Sequence, residues 1–185
     1  MFESLPATQS STWRQLAVDL DGEYRESILT RPIVSVNHAG YTITLDAVIE
    51  ARVLITRLQT SFTSTDGFQF LIFRRHIFSP IAEFFGGQDV EIGHPDFDRD
   101  FIIRSNHEDQ VRRLFSNERL RFLLSNVEEP HLQTVTQTDM VVAQQPMTLD
   151  FRVPGMVIEV RELKGYVELV AAVLDQLHAI GSGRP

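Results

Sequence analysis

An acidic stretch, HPDFDRDF at residues 94–101, has the residue types and spacing of a divalent-cation site. Asp96, Asp98 and Asp100 stand at every second position, and His94 precedes them. Hard cations such as Ca²⁺ and Mg²⁺ take carboxylate oxygens as ligands. In an extended segment alternate side chains share one face, where three crowded carboxylates repel one another unless a cation lies between them. His94, Asp96, Asp98 and Asp100 are therefore candidate metal ligands, for a divalent-metal-binding protein or a metal-dependent hydrolase.

The same stretch has a structural interpretation, which we favour. A calcium loop that starts at Asp96 needs Gly at its sixth position and Glu at its twelfth, where this chain has Phe101 and His107. An EF-hand is thereby excluded. Residues 93–95, Gly-His-Pro, bend the chain, and an Asp of the stretch can cap the short turn that follows. Phe97 and Phe101, four residues apart, would then pack on the same side of a single helical turn.

Arginines in the middle of the chain form a second candidate site. Arg112, Arg113 and Arg119 fall in two predicted helices, and guanidinium groups bind carboxylates and phosphates through paired hydrogen bonds. These arginines are the candidates for binding an anionic ligand or an acidic partner segment, with Arg74–Arg75–His76 as further cations if the segments converge. Acidic residues at 108, 109 and 118 are interleaved with them, so we favour a solvated helix surface.

Composition and spacing exclude several chemistries. The chain has no cysteine, which excludes disulfides, thiolate nucleophiles and Cys-ligated metal centres. Its one lysine, Lys164, lies in ELKGY and not in a P-loop. The six histidines show no metal-binding or catalytic spacing, and no G-x-S-x-G marks a serine hydrolase. A net charge of −8 argues against a nucleic-acid partner, which needs clustered cations. We assign no catalytic residue and predict no cofactor, the divalent cation being the alternative.

Length and hydropathy predict one globular unit. The chain has 185 residues, 43% of them hydrophobic, which suffices for one well-buried core. No apolar run approaches the roughly 18 to 20 residues that span a bilayer, and the N-terminus lacks the features of a secretory signal. We expect a soluble cytoplasmic protein with a flexible N-terminus at 1–10, a single domain at 11–181 and a tail at 182–185.

The N-terminal half predicts one helix followed by hairpins. Trp13, Leu16, Ala17 and Leu20 have helical spacing, with a start near Ser11 or Thr12. IVSVNHAGYTITL at 33–45 alternates around a turn and predicts a hairpin. VLITRLQTSF and FQFLIF, at 53–62 and 68–73, flank an Asp66–Gly67 turn signal and predict a second hairpin. The stretch between the hairpins, at 46–52, alternates but is not assigned.

The C-terminal half mixes both periodicities. Short strands are predicted at 88–93 and 101–105, helices at 107–115 and from a cap at Ser116–Asn117, and a helical turn at 80–85. A third hairpin at 131–144, turning near Gln137–Thr138, and a strand at 147–153 precede the longest helix, at 161–180. Strands joined as hairpins, with N-terminal, middle and C-terminal helices, predict an α+β domain built mainly on antiparallel sheet.

This order of elements, with two short motifs, resembles a family of bacterial proteins of unknown function. In that family an F-D-x-x-F element precedes a strand and a helix ending in the phrase leucine, small residue, arginine, leucine. The matching positions are Phe97, Asp98, Phe101, Leu114, Arg119 and Leu120. The resemblance covers residues 40–180 and implies a fold. Its members are often the soluble part of a membrane-anchored chain, and no catalytic residues are known that it would imply here.

The function that these observations favour is a non-enzymatic soluble binding or scaffold domain. Exposed strands and sheet edges offer pairing sites for a protein partner or a second copy of the chain. The divalent-metal hypothesis and the anion-binding hypothesis stand as alternatives.

Overall fold

A nine-stranded sheet organises the part of the chain that the computed structural model describes, residues 7–27, 30–75, 89–136 and 144–185. The strands are β1 (Glu23–Ser27), β2 (Thr30–His38), β3 (Tyr41–Glu50), β4 (Val53–Ser64), β5 (Phe70–Arg74), β6 (Phe101–Ser105), β7 (His131–Thr136), β8 (Gln145–Pro154) and β9 (Gly183–Arg184). Their order is β1-β2-β3-β4-β8-β7-β5-β6, with β9 beside β4, and these pairs are antiparallel.

Five helices accompany the sheet in the described residues. They are α1 (Ala7–Asp19), α2 (Pro95–Asp100), α3 (Glu108–Phe115), α4 (Glu118–Ser125) and α5 (Val160–Ala179). The chain is one α+β domain, so the predicted fold class is confirmed. Helix α1 begins at Ala7, ahead of the predicted start. None of the helices in the described ranges has the length and hydropathy needed to cross a membrane.

The hydrophobic core lies between the helices and one face of the sheet, which we call the helical face. Helices α1 and α5 contact β2, β3 and β4, and α3 and α4 pack against α5. Alternate residues of β3, from Tyr41 to Ala47, point into this core because side chains alternate across a strand. The Trp13 ring of α1 is fully buried there, and its Nε1 donates a hydrogen bond to the Val157 carbonyl oxygen over 3.2 Å.

The longest helix forms as its spacing predicts. Its buried residues recur every three or four positions, which is the pattern of an amphipathic helix. They are Leu163, Tyr166, Val167, Leu169, Val170, Val173, Leu174 and Leu177. The helix ends where Gly181 adopts a φ of 79°, and the Ser182 N–H then donates to the Leu177 carbonyl oxygen, as in a glycine-terminated helix. Gly183 and Arg184, expected in a tail, pair with Ser64 and Thr63 of β4.

The first hairpin is confirmed, and a neighbouring one was not predicted. β2 and β3 pair across Ala39 and Gly40, whose φ values of 48° and 88° suit a tight hairpin turn. β3 runs through the unassigned stretch and pairs with β4 across Ala51 and Arg52, again at positive φ, 48° and 69°. Ala and Arg are not the residues that usually mark such a turn, so the signal was missing.

The second predicted hairpin is wrong. The turn at Asp66–Gly67 exists, with the Gly67 N–H donating to Ser64 Oγ over 2.9 Å. However, β8 and β7 lie between β4 and β5, so the turn sends the chain across the sheet instead of back along it. Local turn chemistry predicts that a chain bends and does not determine which strand it then joins.

In the C-terminal half the helices are confirmed. Asn117 caps α4, its side chain accepting a hydrogen bond from the Leu120 N–H. β7 pairs with β8, with Thr136 opposite Met147, whereas the return strand of the hairpin predicted at 131–144 falls mostly on residues outside the described ranges. Residues 89–93 form no strand, although the Val90 N–H donates to the Ile103 carbonyl oxygen. The predicted turns at 80–85 and 137–138 lie outside the described residues.

Candidate functional site

The second face of the sheet, opposite the helical face, carries the buried charges of this protein. Its side chains are the alternate residues of the central strands that do not point toward α1 and α5. In register across β3, β4, β8 and β7 they form two polar rows, Asp46–Arg57–Arg152–His131 and Thr44–Gln59–Asp150–Gln133. This registration brings together side chains that are more than 80 residues apart in the sequence.

Asp150 is the centre of these rows. Its side chain is fully buried, and its carboxylate accepts hydrogen bonds from Gln59 Nε2 over 2.9 Å, Gln133 Nε2 over 3.1 Å and Arg152 Nε over 2.5 Å. The Arg152 guanidinium also donates to Glu50 Oε2 over 2.6 Å. We call these five residues the Asp150 network. A buried carboxylate is costly unless it is paired and hydrogen-bonded, and here both conditions are met.

A second ion pair extends the network along the sheet. Arg57 donates to both carboxylate oxygens of Asp46, from Nε over 2.9 Å and from Nη2 over 2.6 Å. Both side chains are about four-fifths buried. Hydrogen bonding to Asp46 raises the pKa of Arg57, and the charges of Asp150 and Glu50 act in the same direction. The two arginines therefore alternate with three carboxylates over one continuous surface.

His131 borders this network at the start of β7. Its ring stacks on Phe73, with 6.4 Å between ring centroids and 20° between planes. Its Nε2 atom is buried and has no hydrogen-bond partner. Burial lowers the pKa of His131, and the charge of Arg152 lowers it further, while Gln133 and the nearby carboxylates act in the opposite direction.

An apolar cluster lies beside His131 on the same face. Leu71 and Phe73 of β5 are buried, and Ile102 of β6 packs against them. This cluster is separate from the core on the helical face. The second face thus places buried polar groups directly beside buried apolar groups.

A group of uncharged side chains follows on the other side of the network, with the exposed Arg184 of β9 at its edge. It consists of Thr42 and Thr44 of β3, Ser61 and Thr63 of β4, and Thr148 of β8, and we call it the hydroxyl strip. Val135 of β7 lies next to Thr148 and is 40% exposed. Thr42 and Ser61 are also exposed. Charged residues make up 23% of the chain but none of these six positions.

The carboxylates on the second face are already held by hydrogen bonds and ion pairs. Asp150 is buried, and its oxygens already accept three hydrogen bonds, so it is poorly placed to take a proton from a substrate. A nucleophile needs a base within hydrogen-bond reach, and Asp46 and Glu50 are held by arginines instead. The network is suited to fixing the shape of the second face.

Three of the predicted metal ligands lie on helix α2 and make other contacts, and the fourth, His94, immediately precedes the helix. Asp98 accepts hydrogen bonds from the N–H groups of Ile92, Gly93 and His94, over 2.9, 3.0 and 2.9 Å. In the described ranges no three His, Asp or Glu side chains are grouped as metal ligands would be.

The other two acids of the stretch are both engaged by one arginine. Asp96 and Asp100 accept from the Arg99 guanidinium, over 3.0 and 3.1 Å. The Phe97 and Phe101 rings stack at 4.5 Å, as the turn interpretation predicts. These contacts favour the turn interpretation.

The predicted anion-binding arginines do not converge either. Arg112 donates to Glu108 over 3.0 Å and to the Glu91 carbonyl oxygen over 3.1 Å. Arg119 is paired with Glu168 of α5. Arg113 borders a shallow surface depression that also contains Glu108 and Asp109, whose charges oppose an anion. The three arginines thus belong to a surface of mixed charge.

Arg74 and Arg75 have structural partners. Arg74 Nη2 donates to the Ser125 and Val127 carbonyl oxygens after α4, over 2.7 and 3.0 Å. Arg75 donates to the Asp98 carbonyl oxygen near the end of α2 over 3.2 Å. Cations at these positions satisfy carbonyl groups that a helix end leaves without partners. His76 lies outside the described residues.

Sequence analysis missed the Asp150 network, although a signal was present. Three strands contain the same triplet of a polar residue, a Leu or Phe, and another polar residue: Arg57–Gln59, His131–Gln133 and Asp150–Arg152. Such triplets indicate a strand with one polar face. Nothing local shows that the three polar faces meet and become buried, because that depends on the order of strands in the sheet.

Comparison with known proteins adds a fold but no family. No protein-family model and no curated protein matches the chain in sequence. The resemblance to the F-D-x-x-F family therefore stays a prediction. Among solved structures, the fold is similar to the crystal structure of the mycobacterial trehalose monomycolate transport factor A, TtfA, with a TM-score of 0.56. The match covers 92% of this chain and 95% of that chain at 11% sequence identity, which shows a shared fold alone.

Proposed function

We propose that this chain is a non-enzymatic binding domain that engages a protein partner through the second face of its sheet. The observation that carries the proposal is the hydroxyl strip with Val135 beside it, a group of uncharged, partly exposed side chains bordered by one cation, Arg184 of β9, in a chain of net charge −8. The centres of protein interfaces are depleted in charged residues. The helical face, in contrast, is occupied by the protein's own helices.

The Asp150 network supports this proposal as a rigid frame for the strip. Gln59 and Asp150 lie on the same strands as Ser61 and Thr148, one side-chain position away. A flat surface held by a satisfied network loses little freedom on binding, and this lowers the cost of association. The structural neighbour TtfA is described as a transport factor, which is consistent with an accessory role for this fold.

Two expectations from the sequence remain predictions alongside this proposal. One is a cytoplasmic location, which cell fractionation tests. The other is that the metal and anion hypotheses fail. The change in melting temperature on adding a divalent metal or an anion tests this expectation. The contacts of Asp98, Arg112 and Arg119 favour neither alternative.

Position-specific crosslinking in the producing cell tests the binding surface. A photoreactive amino acid replaces Val135 on the second face in one variant and Val18 on α1 in the other. Val18 is a matched control because it is the same residue type and is 76% exposed. We expect a discrete crosslinked protein from position 135 and none from position 18. Equal products at both positions, or none at 135, contradict the proposal.

Binding by purified components then gives the size of the effect. Val135→Arg and Ser61→Arg should weaken the complex at least about tenfold, because each places an unpaired charge in the centre of an interface. Val18→Arg should leave the affinity unchanged. Turnover of ester, phosphate or glycosidic substrates that is lost on a single acidic substitution would show the protein to be an enzyme instead.

A further inference from the structure

His131 lies at a position in the sheet whose surroundings disfavour the positively charged form of its ring. It is the first residue of β7 and is registered with Arg152 of β8 and Phe73 of β5. The Phe73 ring covers one side of the imidazole, and the buried Nε2 atom has no acceptor within hydrogen-bond distance. A neutral imidazole fits a buried Nε2 atom that has no hydrogen-bond partner.

The charges around the ring are already paired with one another. Arg152 faces it from β8, bound to Asp150 of the same strand and to Glu50 of β3. Beyond Arg152, Arg57 of β4 is held by Asp46 of β3.

The remaining neighbours of the ring carry no charge that could balance a new cation. Phe73 of β5 is apolar, and Gln133 of its own strand already donates to Asp150. Glu128 and Glu129, in the loop before β7, are exposed. An imidazolium would therefore compete with Arg152 for carboxylates that are fully used.

We propose that His131 is a protonation-sensitive contact that keeps β7 closed on β8 while it is neutral and loosens this end of the second face when it is protonated. The proton comes from solvent and binds the imidazole nitrogen, and no other group changes its covalent state. The imidazolium then replaces Arg152 as the ion-pair partner of Asp150 or Glu50, or the ring turns outward into water. Either change disrupts the Asp150 network. The inference concerns the fold and does not depend on which partner binds.

The direction of the pH effect follows from the burial of the ring. The pKa of His131 is lowered in the folded protein, burial being the main cause, whereas in the unfolded chain it has its ordinary value of about 6.5. Above that value both states bind no proton at this site. As the pH falls below it, the unfolded state binds the proton first, so stability decreases until the folded protein is protonated too.

Histidine NMR and denaturation at several pH values test the inference together. The control is His107→Gln, because His107 is an exposed histidine. We expect the His131 ring signal to titrate below the ordinary histidine value of about 6.5. Between pH 7.5 and 5.5, wild type and His107→Gln should lose more of their urea midpoint than His131→Gln does. Amide exchange in β7 and β8, corrected for the intrinsic pH dependence of exchange, should accelerate over the same interval in wild type and His107→Gln but not in His131→Gln.

Two results would overturn this role. One is a His131 signal that titrates at or above the ordinary histidine value of about 6.5. The other is an equal loss of midpoint in wild type and His131→Gln. If His131→Gln does not fold, the ring signal is assigned in wild type through its contact with the Phe73 ring protons, and the titration alone decides.

Discussion

Adjacent residues of β8 show how differently the two faces of this sheet are built. Phe151 points to the helical face and Asp150 to the second face, and both side chains are fully buried. Phe151 packs edge-on against Tyr166 of α5, with 5.2 Å between ring centroids. Asp150 is surrounded by amide and guanidinium donors. The same strand thus supports a hydrophobic core on one side and an ionic network on the other.

The difference lies in what each face requires from its neighbours. Apolar burial is non-directional and tolerates small changes of shape at a modest cost. A buried charge needs every partner in place, because one missing partner leaves a polar group without solvent or hydrogen bond. We therefore expect the helical face to determine stability and the second face to determine the one arrangement in which these strands meet.

The largest effect is expected on the helical face, from Phe151→Ala. Removing the ring leaves a cavity against Tyr166, and large-to-small changes of this kind cost about 3–5 kcal/mol. Urea denaturation measures the free energy of unfolding. Phe122→Ala is the control, because Phe122 on α4 is 66% exposed and its loss should change stability by less than about 0.5 kcal/mol. Similar losses of unfolding free energy at both positions would show that this core does not determine the stability of the protein.

On the second face, Asp150→Asn should cost about 3 kcal/mol, because it leaves Arg152 buried beside a neutral group. An amide also presents donors where Gln59 and Gln133 donate. Glu168→Gln, at an exposed carboxylate on α5, is the control and should be near neutral. An Asp150→Asn protein as stable as wild type would contradict the network as described.

A multiple substitution separates the cost of breaking the network from its net value. Gln59→Leu, Gln133→Leu and Asp150→Leu together remove the acceptor with both amide donors, while Arg152 keeps Glu50. Replacing a buried polar group together with its partners is often close to neutral, and here the one remaining partner of Asp150, Arg152, still pairs with Glu50. We expect the triple variant to be more stable than Asp150→Asn. A still less stable variant would mean that the network contributes net stability beyond fold specificity.

Sequence patterns predicted the parts of this fold that are local. The α5 periodicity, the Asn117 cap and the β2–β3 turn each depend on residues a few positions apart, and all three are present. Two predictions failed, the strand order after the Asp66–Gly67 turn and the turn between β3 and β4. The β3–β4 turn uses Ala51 and Arg52 at positive φ, so the turn lacked the Gly or Asn that usually marks it.

The candidate site shows the same division. The contacts of Asp98 with three backbone N–H groups lie within six residues, but they run back to residues before α2, whereas the turn interpretation expected an Asp to cap the turn that follows it. The Asp150 network joins residues of β3, β4, β7 and β8, and each is an ordinary polar residue in its own strand. The sequence pattern indicates which face of a strand is polar. Burial of that face is a property of the whole sheet.

An intermediate effect is expected at the turn that opens α2. Asp98→Ala removes the acceptor of three backbone N–H groups and should cost about 1–2 kcal/mol, as the loss of a good cap does. Asp96→Ala is the control, because the Asp96 side chain is 92% exposed. Melting with and without millimolar Ca²⁺, Mg²⁺ or Mn²⁺ completes the test. A rise in melting temperature that Asp98→Ala abolishes would favour the metal hypothesis over the turn.

The smallest effect is expected for exposed ion pairs. They join the same kinds of charged group as the ion pairs of the second face, but they are not buried. Arg119 and Glu168 pair at the surface, with 70% and 46% of their side chains exposed, whereas Arg152 meets an Asp150 that is fully buried. A double-mutant cycle of Arg119→Ala and Glu168→Ala should give a coupling of about 0.5 kcal/mol or less, since water screens exposed charges.

The anion hypothesis predicts that a bound anion stabilises the protein through the predicted anion-binding arginines. If Arg112, Arg113 and Arg119 hold an anion, pyrophosphate should raise the melting temperature of wild type, and the triple alanine variant should lose that rise. We expect no rise in either protein, because Glu108 and Glu168 already engage two of the three guanidinium groups. A rise in melting temperature that occurs in wild type alone would indicate that the functional surface lies on α3 and α4 and not on the second face.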